Sequence, residues 1–138
     1  MSESTYRKPL PRPNRLSQPF WDGAKQHELR LQRCTACGHI WFPPSPRCPQ
    51  CLSADYEWAK ASGRGRVWSW ISMWQKYFPA FESEIPYNVA YVQLEEGPKL
   101  MTNIVDCNPN DLRCDLPVEV VFEDITVTVS LPKFRPLR

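Results

Sequence analysis

Residues 34–51 read CTACGHIWFPPSPRCPQC: two C-x-x-C pairs, Cys34 with Cys37 and Cys48 with Cys51, separated by ten residues. Two such turns bring four thiolates onto one tetrahedral ion, because the spacing lets both sulfurs of a turn converge. Ten intervening residues suffice for a hairpin that lays the second turn against the first. Gly38, directly after the first pair, suits a backbone position of positive φ. The segment is crowded with Pro43, Pro44, Pro46 and Pro49 and has little apolar material for a core, so something other than hydrophobic burial must hold it. Four Cys ligands leave no position for water, and the expected ion is a structural Zn²⁺ on Cys34, Cys37, Cys48 and Cys51. Iron also suits four thiolates. Two disulfides, or a redox C-x-x-C, are the remaining chemical readings; the redox motif expects a βαβ context that is missing.

Working outward, residues 1–16 carry Arg7, Lys8, Arg12 and Arg15 among Pro9, Pro11 and Pro13 and read as a flexible basic arm. Ser17 suits a helix N-cap and Pro19 a first turn, and Phe20, Ala24, His27 and Leu31 recur at spacings of three and four. This predicts a helix over 17–33, with the ribbon at 34–57. Beyond Gly63 and Gly65 the texture turns β. Val67, Ile71 and Met73 alternate with Trp68, Trp70 and Trp74, as in a strand with two apolar faces. Further strands are expected at 86–94, 99–105, 118–123 and 126–131. Five short strands over 58–138, the first preceded by glycines, match a five-stranded OB-fold barrel, with an SH3-like barrel as rival. The fold class is thus mainly β: N-terminal helix, rubredoxin-like zinc ribbon, then OB-fold barrel.

With 138 residues, a formal charge of +2 and 23% charged residues, the chain lacks the basic excess that alone points to nucleic acid. No apolar run is long enough to span a bilayer, and the N-terminal residues lack the apolar segment of a secretory signal, so a cytoplasmic protein without a membrane role is expected. That compartment favours metal over disulfides at the paired cysteines.

No nucleophile–base pair, paired-acid cleft or phosphate loop is assembled in the sequence, so no catalytic residue is expected. Cys107 and Cys114 read as free thiols, His39 as a residue behind the ligand shell or on the surface, and His27 as a packing or surface histidine. Trp68, Trp70, Trp74, Tyr77, Phe78 and Phe81 cluster in one stretch, and core or interface packing is their plainest role. The apolar segment 77–86 reads as a loop awaiting a partner or ligand.

The order PFWDGAKQHELRLQRC (19–34), CTACG…CPQC, GRGRVWSW (63–70), VEVVFED (118–124) and LPKFRP (131–136) resembles a bacterial and archaeal family of zinc-ribbon/OB-fold proteins associated with acyl-CoA enzymes, long classed as a domain of unknown function. The likeness runs from about Ser17 to Pro136. It implies a non-catalytic accessory subunit in a hetero-oligomer, docked on a thiolase-fold enzyme (a thiolase or a CoA-thioester aldolase) in lipid or steroid degradation, with acyl-CoA at the shared interface. Only Cys34, Cys37, Cys48 and Cys51 carry over as site residues. A single-stranded nucleic-acid-binding barrel is one alternative. Another is a stand-alone acyl-CoA-binding protein, for which Arg30, Arg33, Arg64 and Arg66 would supply cations.

Overall fold

A computed structural model describes residues 10–74 and 86–137. The elements are α1 (Gln18–Lys25), β1 (Arg30–Cys34), β2 (Ile40–Trp41), β3 (Tyr56–Lys60), β4 (Arg64–Met73), β5 (Tyr87–Leu94), β6 (Lys99–Thr102), a 3-10 turn (Pro109–Asp111), β7 (Pro117–Asp124) and β8 (Ser130–Pro136). They form a three-stranded antiparallel sheet, β2-β1-β3, and a five-stranded sheet, β6-β5-β4-β7-β8. The larger sheet curls until its edges meet: Ile104 bridges Phe134, and Thr102 Oγ1 donates to Pro132 O at 3.2 Å. The circular order β4-β5-β6-β8-β7 is the Greek-key path of an OB-fold. Among the described residues no helix is long and apolar enough to cross a membrane.

The helix is half as long as expected. Glu28 N donates to Gly23 O at 2.8 Å and His27 N to Ala24 O at 2.9 Å, while His27 takes φ 61°, which is a Schellman closure with histidine where glycine usually sits. The stretch that follows, HELRLQRC, satisfies period two as well as three and four. Pairing with β2 and β3 selects the strand, which buries Leu29 and Leu31 against the barrel core and Cys34 against the ribbon's own. Ser17 does occupy the N-cap, but its hydroxyl accepts from Asn14 N at 3.0 Å instead of capping the helix. The expected boundary at 57/58 falls inside β3.

Two strand expectations also change. In β4 the register shifts between Val67 and Ser69, a bulge at Trp68 that exchanges the faces. Val67 and Trp70 therefore point to the core, whereas Trp68 is 51% and Ile71 56% exposed. The last strand lies at Ser130–Pro136 rather than 126–131, because Thr126 Oγ1 accepts from the amides of Thr128 (3.2 Å) and Val129 (2.9 Å) and makes those residues a turn. Pro132 and Pro136 are accommodated because β8 ends the hydrogen-bonded sheet. Tyr77, Phe78, Phe81, most of the 77–86 segment and residues 1–9 of the basic arm lie outside the described residues.

One apolar cluster unites the two sheets: Phe20, Leu29 and Leu31 join Val67, Val92, Val118 and Phe134. The ribbon has a separate small core of Cys34, Trp41 and Cys48 with Tyr56 against it. Gly65 lets β4 and β5 approach, since a Cβ there would lie 2.5 Å from Gln93 O.

Candidate metal centre

The four cysteines come from two hairpin turns with the same bond pattern. In the first, Gly38 N donates to Cys34 O at 2.9 Å and Cys34 N to His39 O at 2.8 Å. In the second, Leu52 N donates to Cys48 O at 2.8 Å and Cys48 N to Ser53 O at 2.9 Å. Each turn ends on a positive φ, 81° at Gly38 and 67° at Leu52. The expectation for Gly38 holds, and its counterpart is an exposed leucine in a conformation that costs a non-glycine residue.

Each turn aims two amides at its first sulfur: Ala36 N and Cys37 N at Cys34 Sγ, Gln50 N and Cys51 N at Cys48 Sγ. Burial opposes ionisation of Cys34, yet the amides of Cys37 and Ala36 and the neighbouring thiols bring it down to about 7. Cys37 receives the His39 amide, but burial and the thiols of Cys51, Cys48 and Cys34 push it up to about 12. The split repeats across the second turn: despite burial, the amides of Cys51 and Gln50 lower Cys48, whereas Cys51, despite the Ser53 amide, is raised, chiefly by the Cys34 thiol. Four crowded thiols of this kind ionise together only around a cation.

All four sulfurs lie within 4.8 Å of one another, with Cys34–Cys51 at 3.5 Å and Cys37–Cys48 at 3.7 Å. Sulfurs held about 2.3 Å from a tetrahedral ion stand about 3.8 Å apart, so the cradle fits one ion without rearrangement. A disulfide would need about 2.05 Å. The sequence-predicted ligand residues are thus together, and Cys107 and Cys114 stand apart as free thiols. Burial and nearby Asp111 push the Cys107 thiol up. His39 does not enter the cluster, its ring stacking on Trp41 at 6.2 Å.

Two long-range ties, one within the ribbon and one between α1 and the barrel, escaped the sequence. Gln32, fully buried, donates from Nε2 to Ser45 O at 2.8 Å and accepts from Ser45 N at 2.9 Å, clasping the proline-rich loop between the knuckles. His27 stacks on Phe122 at 5.2 Å and its Nε2 lies 3.0 Å from Asp124 Oδ1, which also accepts from Ser130 Oγ. That chain ties the end of α1 to the β7–β8 turn. It joins residues 97 apart in sequence, a separation that no local pattern announces.

Ribbon and barrel together define a four-thiol metal-ribbon protein joined to an OB-fold. Residues 21–57 match the family model described as ChsH2, rubredoxin-like zinc ribbon domain, and residues 58–123 match ChsH2, C-terminal OB-fold domain. The chain is 40% identical to a probable enoyl-CoA hydratase alpha subunit of Thermomonospora curvata, over 98% of this chain but 43% of that protein's length. It is 38% identical to a DUF35 domain-containing scaffold protein of Methanocaldococcus jannaschii (76% of this chain, 79% of that one) and 29% identical to the benzoylsuccinyl-CoA thiolase subunit BbsA of Thauera aromatica (78% and 71%). A solved structure, the Ltp2-ChsH2(DUF35) aldolase, superposes with a TM-score of 0.83 at 39% identity, covering 92% of this chain and 98% of that one. The chain belongs to the ChsH2-type DUF35 family.

Proposed function

We propose that this chain is a non-catalytic accessory subunit that docks on a thiolase-fold enzyme and supports carbon–carbon cleavage or condensation of an acyl-CoA, with Cys34, Cys37, Cys48 and Cys51 holding a structural Zn²⁺. The observation that carries this reading is the match, almost end to end, to a chain of an aldolase assembly. The thiolase subunit among its relatives supports the same class of partner. The residues themselves add chemical support. Among the described residues His, Asp and Ser meet at His27, Asp124 and Ser130, but the carboxylate lies in the middle and the serine hydroxyl donates to it. An imidazole that does not face the hydroxyl cannot take its proton, so this is a structural tie and not a nucleophile–base pair.

The metal's role would be to fold the 34–57 segment; a closed shell of four thiolates activates no water. Affinity capture of the full chain from its source cell, followed by mass spectrometry, should recover a thiolase-like protein, and the purified chain alone should turn over no acyl-CoA. Turnover by the isolated chain would refute the accessory role, and capture without a thiolase-like partner would refute the docking. Metal analysis of the purified protein should give one zinc per chain, iron being the opposing result.

A further inference from the structure

The cations available for an anionic ligand sort clearly. Arg30 is paired with Glu28 at 3.1 Å, Arg33 with Glu57 through Nε at 2.8 Å, Lys133 with Glu123 at 3.1 Å and Arg135 with Glu119 at 2.9 Å. Arg64, Arg66 and Lys99 form no ion pair among the described residues. These three share one face. Arg64 and Arg66 are two apart on β4, and the register Arg66↔Gln93↔Lys99 places Lys99 in the same cross-strand row. Two strand spacings put the Cα atoms of Arg66 and Lys99 about 10 Å apart.

Trp68, two residues on from Arg66, lies on this face as well, and the bulge there sends Trp70 to the core side instead. The Trp68 indole is half-exposed, Lys99 Nζ sits 3.9 Å from the ring centroid, and Tyr91 meets its edge at 6.0 Å. The aromatic contacts hold the ammonium without neutralising it. Beside these groups lies an open cavity of about 420 Å³ lined by Arg64, Arg66, Trp68, Gln93 and the acids Glu95 and Asp115. That volume is within the roughly 300–1,000 Å³ of small-molecule sites. Guanidiniums suit phosphate oxygens, an indole suits a base face, and carboxylates suit ribose hydroxyls or an exocyclic amine. Bare inorganic phosphate would gain from the arginines but be repelled by the two acids.

We infer that this outer face of β4 binds the phosphorylated nucleotide end of an adenine-nucleotide ligand. Resting on the proposed function for the ligand's identity, that end is the adenosine 3′,5′-bisphosphate portion of coenzyme A. The apolar remainder of the ligand then lies outside the cavity, free to reach a partner's active site.

The test is calorimetric titration of the full, metal-loaded chain at low salt with adenosine 3′,5′-bisphosphate, CoA, inorganic phosphate and oligothymidylate, with tryptophan fluorescence read in parallel. Adenosine bisphosphate and CoA should bind saturably and alter the emission, and Trp68→Phe should abolish that optical change. Arg64→Ala and Arg66→Ala should each weaken binding about tenfold or more, the worth of a charge-assisted contact. Both side chains are exposed, so native melting is expected of the variants and is checked first. Adenosine bisphosphate failing to bind, binding undiminished in both arginine variants, or affinity for oligothymidylate that exceeds the mononucleotide and grows with length would each overturn the inference. Partner capture by the double variant is measured separately: a chain that captures its partner yet binds no nucleotide refutes this site and leaves the docking reading standing.

Discussion

Replacing Gln32 by leucine should be among the more damaging changes that leave the four cysteines untouched. Leucine nearly keeps the buried volume but removes both hydrogen bonds to Ser45, at 2.8 and 2.9 Å. Each such bond contributes about 1 kcal/mol net, and the Ser45 amide and carbonyl then face an apolar side chain, so a loss of about 2–3 kcal/mol is expected. For a chain of this size that corresponds to a fall of about 8–12 °C in Tm, read by circular dichroism at fixed excess zinc so that metal linkage is constant. Ser45 lies in the loop joining the two knuckles, so the variant should also release metal to a colorimetric chelator faster than wild type. A shift of less than about 2 °C with unchanged release would mean that water replaces the amide and that the clasp contributes nothing.

Removing the metal with a strong chelator should unfold the ribbon and release a captured partner; co-elution of the assembly after verified metal loss would break the link between ion and docking. Leu52→Gly relieves a left-handed backbone at an exposed position and should stabilise by about 1 kcal/mol, seen as a higher denaturant midpoint. The Ser130 hydroxyl, then His27, holds the Asp124 carboxyl below its ordinary 3.8, so the unfolded chain binds that proton more tightly than the folded one. Its contribution is therefore present above 3.8 and fades as pH falls through the lower folded value. Melting curves from about pH 5 to pH 3 should show Asp124→Asn losing less stability on acidification than wild type; parallel losses would remove Asp124 from that role.

Much of the architecture could be read along the chain. The meeting of the two cysteine pairs, the positive φ at Gly38 and β5 within a residue of its bounds follow from spacing and local alternation. The misreadings share a cause. Residues 27–33 fit helix and strand periods alike, and the decision came from β2 and β3, which no seven-residue window contains. In β4, strict alternation placed Trp68 with Trp70, but the bulge inserts one residue and reverses the pattern. In β8, Thr126 and Thr128 have strand propensity, yet a hydroxyl that can cap neighbouring amides makes a turn there.

The sequence by itself determined that four thiols at this spacing would meet and that the proline-rich segment carrying them has little core of its own. Both follow from short-range geometry. Only the tertiary structure decided which cations remain unpaired, because Arg30 is neutralised two residues away while Arg64 and Arg66 are left open by the path of β4 across the sheet. Likewise the Gln32–Ser45 clasp and the His27–Asp124–Ser130 tie exist only once strands distant in sequence are packed, since a hydrogen bond depends on positions in space that local propensity does not encode.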